Sequence, residues 1–381
     1  MKNPVHFCLY CLRAYTESAS AAAAPQITNQ KISDQNILKK DNPILKENRI
    51  IKDIKILTEG RCPYCGRSAS EYVPLHRQLP PGTILQERYL LGAVLGEGGH
   101  GITYIGYDLI LEIRVAVKEY FPIEHCTRNV SAGLEVNPLT GVQTRYYERG
   151  MEKYLSEARI LAKMEKQQVI VGVRDFFEEN NTAYIVMEYI EGDTFTDIVE
   201  KQGGRIQQED LFRILKPLFT ALDALHQKNI LHRDICPDNL MIEKSDVQET
   251  ADSASASLLF TDNKRIRLLD FGCARDTFSI KNTLTLTLRH GYSPIEQYQQ
   301  GGGQGPWTDV YELCATIYYC LTGLTPPIAT NRITEDTLLP PSRLGIELPP
   351  YRERAIMKGL RIRPHQRFAD MKALVEALYK E

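Results

Sequence analysis

Six consecutive residues, Gly96-Glu97-Gly98-Gly99-His100-Gly101, space glycine so that backbone N–H groups can approach phosphate oxygens with no side chain between. A dinucleotide-binding turn needs a helix straight after such glycines, whereas Ile102-Thr103-Tyr104-Ile105 is rich in β-formers. A Walker loop needs Gly-Lys-Ser/Thr, which is missing. A glycine-rich hairpin folded over phosphates fits these flanks, and so does an ordinary hairpin turn. Downstream come Lys118, 17 residues past Gly101, and Glu157, 39 further on. His232-Arg233-Asp234 follows, then Asn239, five residues after Asp234, and Asp270-Phe271-Gly272, 31 after Asn239. Taken alone, Lys118 reads as an exposed strand lysine.

The elements that must carry these groups change character along the chain. Residues 89–95 and 102–107 are β-rich and joined through the glycines, residues 111–120 alternate as a strand should, and residues 183–190 form another. Residues 121–148 read as a long connection. Residues 152–164 read as a helix, with Leu155, Ala158, Leu161 and Ala162 at helical spacing. After Gly192 helices dominate, and Leu211, Leu215, Leu218, Leu222 and Leu225 share one apolar face. Val310, Leu313, Cys314, Ile317 and Leu321 make another, stopped by Gly323, Pro326 and Pro327, and the last contains Met371, Leu374, Val375 and Leu378. Strands first and helices after indicate an α+β fold with two lobes rather than a wound βαβ sheet. Residues 16–50 and 244–257 are compositionally biased, and Pro74, Pro80, Pro81 and Gly82 mark a boundary.

The phrases LGEGGHGITYIGYD, VAVKEYFP, HRDICPDNLMI, LLDFGCAR and YSPIEQY, in this order, resemble bacterial protein kinases of the eukaryotic serine/threonine type over about residues 84–380. The resemblance implies a bilobal kinase fold, with a β-rich N-lobe over about 84–190 and a helical C-lobe over about 191–380. It implies an ATP site formed by Gly96, Glu97, Gly98 and Gly101, with Thr103 (in place of the usual valine) and Ala116 over the adenine and Met187, Glu188 and Tyr189 as the hinge. Lys118 would hold the α/β-phosphates and pair with Glu157. Asp270 and Asn239 would bind magnesium, with manganese as an alternative, and Asp234 would accept or orient the substrate hydroxyl. Arg233 implies a switch by phosphorylation of the activation segment, with Thr277, Thr283, Thr285 and Thr287 as candidates. Glu296 and Arg367 would pair to close that segment. Asp309 would brace the catalytic loop, although a carboxylate in a first helical turn is also simply favourable to the dipole.

The implied activity is that of a non-specific serine/threonine protein kinase acting on protein hydroxyls, autophosphorylation included, in bacterial signalling. An activation segment of this kind sets the chain apart from small-molecule kinases. One departure stands out: most such kinases carry lysine two residues after the catalytic aspartate, where it neutralises the γ-phosphate, and this chain has Cys236. That keeps a nucleotide-binding pseudokinase or scaffold open as a second reading, with Arg289 as a candidate compensating charge.

Two clamps, Cys8-x-x-Cys11 and Cys62-x-x-Cys65, offer four thiolates for a tetrahedral zinc site in residues 1–75. Gly66 suits the tight turn of a knuckle, since positive φ costs glycine nothing. The 50 residues between Cys11 and Cys62 exceed the usual gap of ~15–20, but closure entropy grows slowly with loop length. A similar zinc ribbon precedes the kinase domain in several bacterial relatives. Cys62-Pro63-Tyr64-Cys65 also reads like the glutaredoxin motif, which requires a βαβ context, and four unliganded thiols are the bland alternative.

Composition bounds the rest. The 381 residues are 43% hydrophobic and 25% charged, ordinary for a soluble protein with a sizeable core. A net charge of -2, and no dense Lys/Arg cluster in residues 1–75, argue against a nucleic-acid partner. No apolar run approaches the ~20 residues of a membrane-spanning helix, and His6, Arg13 and Glu17 interrupt any signal-like stretch. Nine cysteines, an odd number, point to a reducing cytoplasm rather than a disulfide scaffold. Cys314 and Cys320 read as core, whereas Cys236 and Cys273 flank the two catalytic aspartates and could make activity oxidant-sensitive.

Overall fold

Alternating hydrophobicity between residues 84 and 188 is satisfied by one six-stranded antiparallel sheet, and the helical periodicities that follow by a separate helical body. The structure, a computed structural model, describes residues 5–15, 54–56, 60–99, 101–162, 168–244, 265–269, 275–276, 288–299 and 302–380. It divides into two compact units, residues 1–151 with 175–189, and residues 152–174 with 190–381.

In the first unit, β1 (Val5–Phe7), β2 (Ala14–Tyr15) and β3 (Ile54–Ile56) make a small sheet of order β2-β1-β3. The apolar segment 50–57 thus contributes a strand, parallel to β1. The large sheet takes β4 (Ile84–Leu85), β5 (Tyr89–Gly98), β6 (Gly101–Asp108) and β7 (Ile113–Tyr120). After the short pair β8 (Cys126–Thr127) and β9 (Asn137–Pro138) comes α1 (Val142–Ala162), whose residues up to Met151 belong to the first unit and the rest to the second. The strands β10 (Val173–Glu179) and β11 (Thr182–Glu188) complete the order β10-β11-β7-β6-β5-β4.

The small sheet is seated on β5. Leu9 O accepts the Ala93 N–H at 2.7 Å, and the Tyr72 hydroxyl accepts the Val94 N–H at 3.0 Å. Phe7 and Leu12 are buried with Leu90 and Ile105, and Leu9 and Ala69 with Ala93. Gly92 permits this approach: a Cβ there would lie 2.4 Å from Leu9 O.

On the other side of β7, Glu119 and Arg128 form an ion pair with both side chains fully buried. Removing two charges from water is tolerable only when every hydrogen-bonding group finds a partner, and here they do. Tyr104 and Tyr184 donate their hydroxyls to Glu119 at 3.0 and 2.8 Å, and Arg128 also donates to Leu134 O and Arg77 O at 2.8 and 2.9 Å. The pair ties residues 75–79 and the β7–α1 connection to the sheet, since the Tyr104 hydroxyl also accepts the Leu79 N–H.

The second unit holds β12 (Gly192–Thr194), α2 (Phe195–Lys201), α3 (Gln208–His226), β13 (Ile230–Leu231), β14 (Leu240–Glu243), β15 (Ile266–Leu268) and β16 (Arg275–Asp276). The helices α4 (Ile295–Tyr298), α5 (Pro306–Thr322), α6 (Asn331–Thr334), α7 (Pro350–Gly359) and α8 (Met371–Leu378) follow. The leucine face of α3 is buried, and α5 is buried nearly all round, Cys314 and Cys320 included. Gly323 ends α5 in the left-handed region, φ 72°, as its position after the periodic run requires. No helix among the described residues is long and apolar enough to cross a membrane.

Two sequence expectations are corrected. The helix expected at 152–164 begins at Val142, inside the stretch read as connection. Tyr147, Tyr154, Leu155, Ala158 and Leu161 carry one buried face throughout, and Gly150, a poor helix former, leaves room for the Tyr120 ring. The strand expected at 111–120 begins at Ile113, because Asp108 accepts the Ile110 and Leu111 N–H groups and Glu112 turns the chain at φ 54°. The biased segments at 16–50 and 245–257 lie outside the described residues.

Candidate functional site

The glycine segment forms the β5–β6 hairpin, Gly98 pairing with Gly101. A Cβ at Gly101 would lie 2.4 Å from Glu119 O, so this position needs glycine for strand packing. Gly96, Gly98 and Gly99 instead open onto free space, which leaves their backbone approachable. Glu97 is anchored outside the hairpin by Arg77 and by Gln78 Nε2 at 2.8 Å. On β7, Lys118 is buried and pairs in register with Thr103 and Ile185, while Ala116 pairs with Ile105 and Met187. Directly paired residues share a face, so Thr103, Ala116, Lys118 and Met187 lie together on one side of the sheet. Glu188 ends β11, and the Arg114 guanidinium lies 5.1 Å from the centre of the Tyr189 ring. Glu157 is half-buried on α1.

In the second unit the loop from β13 to β14 presents Asp234. Asn239 donates Nδ2–H to Asp234 Oδ2 at 2.9 Å and to its backbone O at 2.8 Å. His232 accepts the Asp234 N–H at Nδ1, 3.3 Å, and reaches Leu269 O from Nε2 at 3.1 Å, which suits the neutral tautomer protonated at Nε2. Arg233 is held at φ 66°. Below the loop, Asp309 at the start of α5 accepts the Arg233 N–H at Oδ1 and the His232 N–H at Oδ2, both 2.9 Å, and His226 at 2.7 Å. Burial would raise the Asp309 carboxyl, but the His226 contact outweighs it and holds the group below the usual aspartate value.

Glu312, one turn further along α5, escaped the sequence reading. It accepts the Ile235 N–H at 2.8 Å and Gln297 Nε2–H at 2.7 Å, and Gln297 also donates to Arg233 O at 3.0 Å. Burial and then the charge of Asp309 push the Glu312 carboxyl well above its ordinary value. The only available signal was its i+3 offset from Asp309 on a helix otherwise apolar at core positions.

Cys236 is buried, and burial followed by the neighbouring Asp234 charge pushes its thiol well above the ordinary value. A buried thiol held in its neutral form is a weak nucleophile, which argues against oxidant sensitivity at this residue. A cation does reach the loop from elsewhere: Arg289 donates Nε–H to Asp234 Oδ1 at 3.0 Å and Nη1–H to Asp238 Oδ2 at 3.1 Å. Glu296 and Arg367 pair through two bonds, 2.7 and 3.0 Å. Arg367 further donates to Arg361 O, Ile362 O and Trp307 O, and Thr308 donates to Glu296. Asp270, Cys273, Thr277, Thr283, Thr285 and Thr287 lie outside the described residues.

The four N-terminal cysteines converge, with all sulfurs within 4.8 Å of one another. Each clamp is a knuckle: the Tyr10 and Tyr64 N–H groups point at Cys8 and Cys62 Sγ at 3.4 Å. Each closes with a bond back to its first cysteine, from Leu12 and Gly66, both at 2.9 Å. Gly66 has φ 70°, as its type suggests, while Leu12 adopts φ 45°, which its type does not. A hydrogen bond with Cys11 pulls Cys8 down to about 5, and the same contact holds Cys11 well above the usual thiol value. Four sulfurs this close form a set able to hold a metal ion, and an all-sulfur donor set suits zinc.

A family model described as Protein kinase domain matches residues 89–339. Serine/threonine-protein kinase PknB of Mycolicibacterium smegmatis is 30% identical over 306 residues, covering 76% of this chain and 42% of that protein. Serine/threonine-protein kinase PknA of a Nostoc species is 27% identical over 306 residues, covering 77% of this chain and 47% of that protein. The chain therefore spans less than half the length of these curated relatives. Among solved structures, PpkA-294 in its apo form superposes with a TM-score of 0.63 at 30% identity, over 79% of this chain and 99% of that one.

Proposed function

Because the chain belongs to the protein kinase family, we propose that it transfers the γ-phosphoryl group of ATP to serine or threonine hydroxyls of proteins, its own included, in bacterial signalling. The observation that carries this reading is the Asp234 carboxylate, positioned by Asn239 at 2.9 Å on a loop whose backbone is bonded to Asp309. Phosphoryl transfer asks mainly for positioning and charge neutralisation. Asp234 would take the hydroxyl proton. Gly96, Gly98 and Gly101 would leave backbone room for the triphosphate, with Glu97 anchoring the hairpin from outside. Lys118 would hold the α/β-phosphates and pair with Glu157. Thr103 and Ala116 would cover the adenine, and Met187, Glu188 and Tyr189 would form the hinge.

Magnesium, or manganese in its place, would when bound neutralise phosphate charge. Asn239 fits that role: its amide N–H is engaged by Asp234, so its amide oxygen would be the atom to hold a hard cation. Asp270 would be the second holder. The four-cysteine cluster would hold structural zinc in a module over residues 1–75, ahead of a kinase domain over 84–380.

The test is incubation with labelled ATP, magnesium and a generic basic protein, beside Asp234→Asn. Label on protein well above the variant is expected. Equal labelling would sink the transfer reading, and ATP binding without labelling would leave a nucleotide-sensing scaffold, the reading that Cys236 favours.

A further inference from the structure

The loop that presents Asp234 carries two carboxylates, Asp234 and Asp238, and between them only Ile235, the neutral Cys236 and Pro237. A triphosphate brought to this loop adds more negative charge. Like charges this close need a cation, and a neutral Cys236 supplies none.

Arg289 reaches in from the segment before α4. Its fork spans the two carboxylates, with Nε on Asp234 at 3.0 Å and Nη1 on Asp238 at 3.1 Å. Two of its five N–H donors are thereby engaged. Its side chain is 35% exposed, so a ligand can reach part of it. The backbone that carries it is fixed. Arg289 donates its N–H to Ser293 Oγ at 3.0 Å, and its carbonyl accepts the Tyr292 and Ser293 N–H groups at 2.9 and 2.8 Å. Gly291, at φ 89°, packs so close that a Cβ would lie 2.3 Å from the Thr325 side chain. Asp238 is itself steadied by the Thr196 hydroxyl at 2.6 Å. A guanidinium held this way is a preorganised donor rather than a surface charge.

We propose that Arg289 supplies, from the segment before α4, the cation that the Asp234 loop itself lacks in the transfer step. This rests on the phosphotransfer reading above. The substrate hydroxyl oxygen bonds to the γ-phosphorus as the bond from that phosphorus to the β,γ-bridging oxygen breaks. The electron pair leaves on ADP, and the hydroxyl proton passes to Asp234. Arg289 orients the Asp234 carboxylate through Nε and turns its unengaged N–H edge to the γ-phosphoryl oxygens, where charge redistributes as the bond breaks.

The test compares the native chain with Arg289→Ala, Arg289→Lys and the double variant Cys236→Lys with Arg289→Ala. Steady-state transfer is measured alongside calorimetric binding of Mg-ATP and Mg-ADP. Arg289→Ala is expected to lose about 100-fold or more in kcat, the scale of removing a preorganised charge, with a smaller rise in KM for ATP as the ground-state contact to the γ-phosphate is lost. Arg289→Lys should keep part of the rate, since it restores charge but not the fork. The double variant should recover part of the loss by returning an amine to the loop. The native chain should prefer Mg-ATP over Mg-ADP, and Arg289→Ala should lose that preference. A kcat within threefold of native in Arg289→Ala, or a higher one, overturns the proposal. If the native chain transfers nothing, the phosphotransfer reading fails by itself. The binding comparison then decides whether Arg289 meets the γ-phosphate: an unchanged ATP preference in Arg289→Ala would overturn that as well.

Discussion

Asp309 accepts the backbone N–H of Arg233 at 2.9 Å, and that bond holds Arg233 at φ 66°, a left-handed conformation that costs a residue with a Cβ about 1 kcal/mol or more. A first-turn position also suits the dipole, but the bonds of Asp309 to Arg233, His232 and His226 favour a bracing role. Asp309→Asn puts an amide against N–H donors. It is expected to lower kcat at least about tenfold and stability by about 2–3 kcal/mol, the scale of leaving buried donors unpaired, while Mg-ATP affinity stays within about twofold. Unchanged kcat in a folded variant would remove the bracing role.

The two carboxyls of α5 titrate in opposite directions. Asp309 lies below its ordinary 3.8, so its contribution to stability is present above that value and is lost only as pH falls below it. Glu312 lies above its ordinary 4.5, so its contribution is present below 4.5 and is lost as pH rises from there through the raised value. Of these two carboxyls, only Glu312 acts between about pH 5 and pH 8, and it lowers stability as pH rises. Glu312→Gln should flatten that fall, measured as urea midpoints at the two pH values. An equal fall in the variant would assign the pH dependence to other groups.

Arg367 donates five hydrogen bonds, two to Glu296 and one each to the carbonyls of Arg361, Ile362 and Trp307. Lysine has three donors at a single point and cannot reproduce the fork. Arg367→Lys should destabilise the chain by about 2–4 kcal/mol, since buried carbonyls and a buried carboxylate lose partners. Chemical denaturation measures this, and a loss below about 0.5 kcal/mol would show that the pair is dispensable.

Removing metal should act on the glycine hairpin. The cysteine knuckles carry Leu9 and Leu12, and these pack on β5 at Ala93 and Leu90, a few residues before Gly96. About one zinc per chain is expected by elemental analysis, with loss in Cys62→Ser. Chelation should lower Tm and weaken Mg-ATP binding severalfold. Full nucleotide affinity in the metal-free chain would separate the module from the hairpin.

Much of the fold was legible because the signals are local. Glycines at a hairpin, the short loop motifs and leucines at helical spacing each act within a few residues of themselves. What was missed depends on distant partners. Glu119 and Arg128 look like two surface charges until Tyr104 and Tyr184 close over them. Glu312 and Gln297 look polar and exposed until the loop at Arg233 and Ile235 is laid against them. Leu12 at φ 45° imitates Gly66 at φ 70° with the wrong residue type, so only the symmetry of the two clamps could have hinted at it. The early part of α1 was hidden by Gly150, whose weak helix propensity is outweighed by the fit of Tyr120.

The seating of the small sheet on β5 bears on where this chain can be cut. A fragment starting at Tyr89 would bare Leu90, Ala93 and Ile105, now covered by Phe7, Leu9 and Leu12. One ending at Leu339 would strand the Glu296 carboxylate without Arg367. Such a fragment would present a sticky flank at one end and an orphaned charge at the other, and would associate with itself before it reached its nucleotide.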